Sequence, residues 1–113
     1  MRILIAEDEV EIARALKVLL EKNKCSVDIV HNGKDAWDYI SQGKFDVVVL
    51  DIMMPEMDGL AVMDKIKRDK TIKKSPEFIM ISAIGKEGIT EDAFQMGASY
   101  YIMKPFAKDV VVN

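Results

Sequence analysis

The stretch Val47-Val48-Val49-Leu50-Asp51 is an apolar run that ends on a carboxylate, and Ile52-Met53-Met54-Pro55 follows it. A run that is apolar at every position is typical of a strand covered on both faces of a parallel sheet. The proline marks a loop, so Asp51 ends the strand. Because ligands of open α/β sheets bind at the carboxyl ends of the strands, the stretch predicts a functional carboxylate.

A second short apolar run, residues 3–6, also ends on acids, because Glu7, Asp8 and Glu9 follow it. Carboxylates that meet at one place repel each other, so the arrangement costs free energy unless a positive charge lies between them. Two strands that both end on acids therefore indicate a site for a cation.

Short apolar runs alternate with amphipathic segments along the chain, which predicts repeated βα units. We predict strands at residues 3–6, 27–30, 47–50, 78–81 and 99–103. We predict helices at residues 10–23, 34–41, 59–69 and 87–96, and a short final helix from residue 108. Right-handed crossovers that cover both faces then give an α/β, flavodoxin-like, doubly wound sandwich of three layers, with the parallel strand order 2-1-3-4-5. In the predicted first helix, apolar residues recur at helical spacing with charges between them: Val10, Ala13, Leu16, Leu19 and Leu20.

Composition and charge exclude several classes of protein. The 113 residues suit one domain, residues 1–113, and the net charge of −3 offers no basic surface for nucleic acid or an anionic membrane. No apolar stretch reaches the roughly 20 residues that span a bilayer. The single cysteine, Cys25, cannot form an internal disulfide, so a cytoplasmic protein is expected. The only histidine, His31, is expected on the surface, far from the acids.

The predicted topology brings five polar side chains to one edge of the sheet: Glu7, Asp8, Asp51, Ser82 and Lys104. Oxygen ligands without a nearby histidine or cysteine select a hard cation, and a site with few carboxylates suits Mg²⁺. A carboxylate beside such a cation is able to attack a phosphoryl group and form an acyl phosphate. The lysine would stabilise the developing charge, and the serine hydroxyl would donate a hydrogen bond to a phosphoryl oxygen.

Four stretches carry a resemblance to a known family: Ile3-Leu-Ile-Ala-Glu-Asp-Glu9, Val48-Val-Leu-Asp-Ile-Met-Met-Pro-Glu-Met-Asp-Gly59, Ile81-Ser-Ala83 and Gly97-Ala-Ser-Tyr-Tyr-Ile-Met-Lys-Pro-Phe106. They resemble the receiver domains (CheY-like domains) of two-component response regulators. The first half is similar to receivers of winged-helix transcriptional regulators, and the half from Met54 is similar to the sporulation-regulator type. The resemblance implies a phosphorylation-activated switch that controls a partner or an output such as transcription.

The resemblance also implies a role for each matching residue at the acidic site. Asp51 would be the phosphoacceptor. Mg²⁺, or another divalent cation, would be bound by Asp51, by Asp8 directly, by Glu7 through water and by the backbone carbonyl of Met53. Glu7 departs from the commonest pattern, which has aspartate there, but its longer side chain still reaches a cation through water.

Three further residues would couple phosphorylation to a change of shape. The resemblance makes Ser82 the switch hydroxyl, Tyr101 the switch aromatic and Lys104 the lysine that faces the phosphoryl group. A cis peptide bond between Lys104 and Pro105 would aim the lysine inward. On phosphorylation, Ser82 would move toward the phosphoryl group and Tyr101 would rotate into the space behind it.

The resemblance implies partners as well. The phosphoryl donor would be a sensor histidine kinase or a phosphotransfer protein, and the chain would catalyse at most its own phosphorylation and slow dephosphorylation. Residues 107–113 supply about half of a usual final helix. We expect either a truncated chain or a stand-alone receiver with a shortened last helix, and no output domain within residues 1–113. The surface of the fifth strand and last helix is therefore expected to form a homodimer. No direct contact with nucleic acid or a membrane is expected.

Three other functions compete with that of a receiver. A haloacid-dehalogenase-like phosphatase, which also forms an aspartyl phosphate, needs a second aspartate two residues after the nucleophile, where this chain has Met53. A flavodoxin-like electron carrier needs a hydroxyl-rich phosphate loop, where this chain has Glu7, Asp8 and Glu9. A receiver fold that binds partners without phosphorylation would not need the complete site.

Overall fold

Five parallel strands form a single sheet in the order that the sequence predicts. The computed structural model describes residues 1–54, 56–72, 75–82 and 98–103, and it describes only the backbone of Ser82 and of residues 100–103. The strands are β1 (Arg2–Ala6), β2 (Ser26–Val30), β3 (Val47–Asp51), β4 (Glu77–Ser82) and β5 (Ala98–Met103). Their order across the sheet is β2-β1-β3-β4-β5, and each neighbouring pair is parallel.

The described helices are α1 (Val10–Lys22), α2 (Gly33–Ile40) and α3 (Gly59–Arg68). Together with the strands they confirm the predicted α/β, doubly wound architecture, and their ends differ from the predicted ones by about one residue. The predicted helix at residues 87–96 and the predicted final helix lie outside the described residues. In the part of the chain that the structure describes, no helix is both long and apolar enough to cross a membrane.

Helices cover both faces of the sheet because the strands alternate their apolar side chains. Leu4, Leu50 and Phe78 are fully buried on the face that packs against α2 and α3. On the opposite face, Ile5 packs in a cluster with Ala13 of α1. The two layers of helices therefore hold the central strands β1 and β3, whose ends carry the acids, in fixed positions.

The first helix buries a narrower face than its apolar pattern predicts. Ala13 is fully buried, and Leu16 and Leu20 pack partly against the same cluster. Val10 and Leu19 share the helical spacing of the apolar residues but lie outside the core, since they are 47% and 58% exposed. At about 3.6 residues per turn, Leu19 lies roughly 120° around the helix from Ala13, and Val10 only begins the helix, so neither side chain faces the sheet.

Side-chain caps fix the first turns of α2 and α3. Asn32 Oδ1 accepts a hydrogen bond from the Asp35 N–H at 2.8 Å, and Asp58 Oδ1 accepts one from the Ala61 N–H at 2.8 Å. Each cap satisfies a backbone donor that the helix itself cannot pair. The cap at Asp58 also ends the loop that begins after Asp51, so it fixes one end of the segment nearest the acids.

We expect the Asp58→Ala variant to lower the free energy of unfolding by about 1 kcal/mol, because it removes the cap of α3. The matched control is Asp64→Ala on the same helix, which removes only an exposed ion pair with Arg68 and should change that free energy by no more than about 0.5 kcal/mol. Urea unfolding followed by circular dichroism measures both variants. Equal losses would contradict the assignment of Asp58 as the cap.

Candidate functional site

Three carboxylates from two neighbouring strands meet at the carboxyl edge of the sheet. Ala6 of β1 lies opposite Leu50 of β3 in the parallel register, so the residues that follow them emerge side by side. Glu7, Asp8 and Asp51 each bring one carboxylate oxygen to within 4.8 Å of the others. The structure thus brings together the three acids whose meeting the strand order predicts.

The three acids differ in their exposure to solvent. Glu7 is fully buried and Asp51 is 1% exposed, whereas Asp8 is exposed. Glu7 Oε2 accepts a hydrogen bond from the Glu9 N–H at 3.1 Å, and Asp51 Oδ1 accepts one from the Met53 N–H at 3.2 Å. Backbone donors therefore stabilise the two buried carboxylates, and the exposed Asp8 marks the side from which a solute reaches them.

The donor set of this cluster fits a hard divalent cation. Two like charges about 5 Å apart repel by roughly 1–3 kcal/mol, depending on the effective dielectric constant. A bound cation removes that repulsion, and carboxylate oxygens are the ligands that Mg²⁺ and Ca²⁺ select. Three acids, one of them open to solvent, leave positions for water and substrate oxygens, which suits Mg²⁺ better than a closed calcium cage. The acidic cluster could therefore hold a metal ion.

The loop after Asp51 is held tightly against the strand that carries it. The Gly59 N–H donates a hydrogen bond to the Ile52 carbonyl oxygen at 2.8 Å, which closes the loop at its base. A Cβ atom on Gly59 would lie 2.9 Å from the Asp51 carbonyl carbon and closer still to its oxygen, so only glycine fits there. The Met53 backbone N–H donates a hydrogen bond to Asp51, while the Met53 side chain is 66% exposed.

Of the other predicted site residues, two lie in β4 and β5, and the third lies outside the described residues. Ile81 lies opposite Asp51 in the register, so Ser82, the last residue of β4, extends the same edge of the sheet. Tyr101 lies in β5. The side chains of Ser82 and Tyr101 lie outside the described residues, as does the whole of Lys104 with its predicted cis peptide bond, so their roles stay predictions.

His31 is nearer the acids than the sequence predicts. It is exposed, but its Nδ1 atom donates a hydrogen bond to the backbone carbonyl oxygen of Glu7 at 3.0 Å. The expectation that it lies far from the acids is therefore wrong. The physical reason is the strand order: β2 lies beside β1, so the residue after β2 emerges next to Glu7, whose N–H donates to the Val30 carbonyl oxygen at 3.0 Å.

Curated proteins with similar sequences include a transcriptional regulator. The chain is 37% identical over 110 residues to the transcriptional regulatory protein SrrA of Staphylococcus aureus, and the match covers 97% of the chain. The chain spans 44% of the length of that relative. The likeness therefore extends to one part of the relative only.

Solved structures with the same fold include receiver domains. The receiver domain of the Francisella response regulator 1452 superposes with a TM-score of 0.83 at 28% sequence identity, and the match covers 98% of this chain and 89% of that chain. The signal receiver domain of a signal transduction histidine kinase from Syntrophus aciditrophicus superposes with a TM-score of 0.80 at 32% identity, covering 98% of this chain and 83% of that chain. Both matches extend over nearly the whole chain.

The family assignment follows from the fold, the acidic cluster and these matches together. Residues 3–113 match the response regulator receiver domain family. The resemblance that four stretches of the sequence carry is thereby confirmed. The chain belongs to the response regulator receiver domain family, and it is a receiver domain of the two-component type.

Proposed function

We propose that this receiver domain accepts a phosphoryl group on Asp51 from a sensor histidine kinase or a phosphotransfer protein, and that the transfer requires Mg²⁺ or another divalent cation. The observation that carries the proposal is the cluster of Glu7, Asp8 and Asp51, whose oxygens lie within 4.8 Å of one another. Membership of the receiver family supports the class of donor, because receiver domains take phosphoryl groups from sensor histidine kinases.

The three acids would hold the cation, with the backbone carbonyl oxygen of Met53 as a further ligand. The exposed Asp8 is suited to bind it directly, whereas the buried Glu7 is suited to act through a water molecule. When bound, the cation neutralises the carboxylates and draws in the phosphate oxygens of the donor. Its path from solvent leads past Asp8, the exposed member of the cluster.

Asp51 would supply the nucleophile. One of its carboxylate oxygens forms a bond to the phosphorus of the donor while the bond from phosphorus to the histidine nitrogen breaks. The nitrogen keeps the electron pair, and an acyl phosphate results. Two features favour this residue: its 1% exposure weakens the hydration that would mask the carboxylate, and the Met53 N–H at 3.2 Å restricts its orientation.

Lys104 would face the new phosphoryl group as its counter-charge, and Ser82 and Tyr101 would convert the added charge into a change of shape. Phosphorylation adds negative charge and strong acceptor oxygens. Ser82 ends β4 and Tyr101 lies on β5, and these two strands pair along their length. The phosphoryl group shifts the conformational equilibrium only by the difference in its interactions with the two states, so the hydroxyl of Ser82 is the natural contact.

A phosphatase of the haloacid-dehalogenase type is not favoured. It needs an acid two residues after the nucleophile, and the thioether of Met53 at that position cannot transfer a proton. The Met53 side chain is also 66% exposed, and the group of Met53 that donates a hydrogen bond to Asp51 is its backbone N–H. We therefore propose a switch with slow self-dephosphorylation and no other substrate. A binding module that is never phosphorylated would not need three crowded acids.

We propose transcription as the output of the switch, without direct contact between this domain and nucleic acid. The support is the likeness to a relative that is named a transcriptional regulatory protein. We also propose a cytoplasmic location and a cognate kinase, and both rest on membership of the receiver family. Self-association through the fifth strand and last helix is a further proposal, and residues 104–113 of that surface lie outside the described residues.

The Asp51→Asn variant should not be labelled by acetyl phosphate in the presence of Mg²⁺, because a neutral amide is not a competent nucleophile. The matched control is Asp58→Asn in the same loop, which keeps a capping side chain and should be labelled as the wild type is. Intact-protein mass spectrometry measures the added phosphoryl group, and its loss on treatment with hydroxylamine identifies an acyl phosphate. Persistent labelling of Asp51→Asn would place the acceptor elsewhere.

The Asp8→Asn variant should be more stable than the wild type in EDTA and should respond less to Mg²⁺. Removal of one charge relieves a repulsion of about 1–3 kcal/mol per pair. With Mg²⁺ at 100 times its dissociation constant, the wild type should gain about 2.7 kcal/mol, and the variant should gain much less. Urea unfolding with and without Mg²⁺ measures both effects.

The control for this experiment is Asp38→Asn, which neutralises an exposed acid on α2. It should alter neither the stability in EDTA, beyond about 0.5 kcal/mol, nor the response to Mg²⁺. A wild-type protein whose stability is indifferent to Mg²⁺ would rule out the proposed metal site.

The Ser82→Ala variant should bind beryllofluoride, a mimic of the phosphoryl group, at Asp51 but should lose most of the resulting structural change. Amide chemical shifts of β4 and β5, measured by NMR with and without the mimic, report that change. Ser75→Ala, which alters an exposed serine before β4, is the control and should keep the full change. If the mimic changed the amide chemical shifts of β4 and β5 as much in Ser82→Ala as in the wild type, Ser82 would be excluded as the switch.

A further inference from the structure

We propose that residues 30–33, the junction between β2 and α2, form a positioning element that sets the geometry of the cation site, with Gly33 as its critical residue. This segment is called the β2–α2 brace below. The inference rests on the proposed function, because it concerns the cation that Asp51 and its neighbours would bind. None of the residues in the brace would touch the cation itself.

One end of the brace contacts the backbone of Glu7. The Glu7 N–H donates a hydrogen bond to the Val30 carbonyl oxygen at 3.0 Å. His31 Nδ1 donates one to the Glu7 carbonyl oxygen at 3.0 Å. Both backbone polar groups of this acid are therefore held by the brace. Since the side chain of Glu7 begins from this peptide, the brace would help to set where its carboxylate lies relative to Asp51, together with the hydrogen bond from the Glu9 N–H.

The other end of the brace contacts the loop that carries Met53. A Cβ atom on Gly33 would lie 2.6 Å from the Met57 carbonyl carbon, 2.7 Å from the Met57 Cβ, and closer still to the Met57 carbonyl oxygen. Backbone atoms cannot rotate away as the end of a flexible side chain does. Gly33 is not among the described glycines with positive φ, so glycine is required here for the close approach and not for its backbone freedom.

The loop, not the helix, should yield to an added methyl group at this contact. Gly33 lies in the first turn of α2. The side chain of Asn32 caps this helix, and the Asn32 carbonyl oxygen accepts a hydrogen bond from the Ala36 N–H at 3.1 Å. The loop contains Glu56 at a φ of 70°, a left-handed conformation that costs a non-glycine residue roughly 1 kcal/mol or more. We therefore expect this strained loop to move more easily than the capped helix.

Displacement of the loop would change the cation site because Met53 and Met57 belong to one closed segment. The hydrogen bond from the Gly59 N–H to the Ile52 carbonyl oxygen fixes the base of that segment, and Asp51 is fixed in β3. A shift of Met57 relative to Asp51 would therefore also move the Met53 carbonyl oxygen. The partners that orient metal ligands typically change metal affinity by about 10–100-fold when they are altered.

Titration with Mn²⁺ tests the brace directly, because electron paramagnetic resonance counts the free ion without any phosphoryl transfer. The Gly33→Ala variant should bind Mn²⁺ about tenfold more weakly than the wild type. The matched control is Gly43→Ala, which adds the same methyl group at a φ of 73° where nothing lies within 4 Å of the new atom. It should lose stability through backbone strain but keep the affinity of the wild type for Mn²⁺.

A second pair of variants tests the other end of the brace and keeps the experiment decisive if Gly33→Ala does not fold. His31 is exposed, so His31→Ala should fold normally, yet it removes the hydrogen bond to the Glu7 carbonyl oxygen and should weaken Mn²⁺ binding several-fold, up to about tenfold. His31→Asn keeps an N–H donor at the same distance from the backbone and should restore most of the affinity.

The outcomes separate this inference from the proposed function. A wild type that binds no Mn²⁺ would overturn the cation site and the brace together. A wild type that binds Mn²⁺, with unchanged affinity in folded Gly33→Ala and in His31→Ala, would overturn the brace alone. Equal losses of affinity in Gly33→Ala and Gly43→Ala would show a general effect of stability and would also overturn it.

Discussion

The repulsion among Glu7, Asp8 and Asp51 is the constraint on which the rest of the structure depends. A fold gains no stability from three carboxylates whose oxygens lie within 4.8 Å of one another. The domain nevertheless keeps Glu7 and Asp51 buried, because the parallel sheet fixes the strand ends and because the N–H groups of Glu9 and Met53 donate to the two carboxylates. A bound divalent cation would relieve this repulsion, so in the proposed function ion binding and the reactivity of Asp51 would be parts of one equilibrium.

Much of this arrangement is visible in the sequence, because it depends on where buried strands end. The apolar runs before Glu7 and Asp51 identify central strands, and right-handed crossovers leave few ways to order them. Once β1 lies beside β3, the acids must meet. The ends of the elements agree so well with the predicted ones because local signals mark them, such as Asp58 before α3 and Asn32 before α2.

The features that the sequence does not reveal depend on contacts between segments that are far apart along the chain. Leu19 fits the apolar period of α1 but is 58% exposed, since the close packing of Ala13 decides which side of the helix faces the sheet. Gly33 has the pattern of a turn residue, yet it is the backbone of Met57 that excludes any larger side chain. His31 contacts Glu7 across 24 residues of sequence. A local sequence pattern carries no information about contacts between residues that are far apart along the chain.

Anomalous diffraction from crystals grown with Mn²⁺ is the most direct measurement of whether the acidic cluster is a cation site. A peak between the carboxylates of Glu7, Asp8 and Asp51, within coordination distance of Asp8 and Asp51, is the expected result. A peak bound only elsewhere on the protein, or no peak at an Mn²⁺ concentration that stabilises the protein in solution, would contradict the claim that the crowded carboxylates form a divalent cation site.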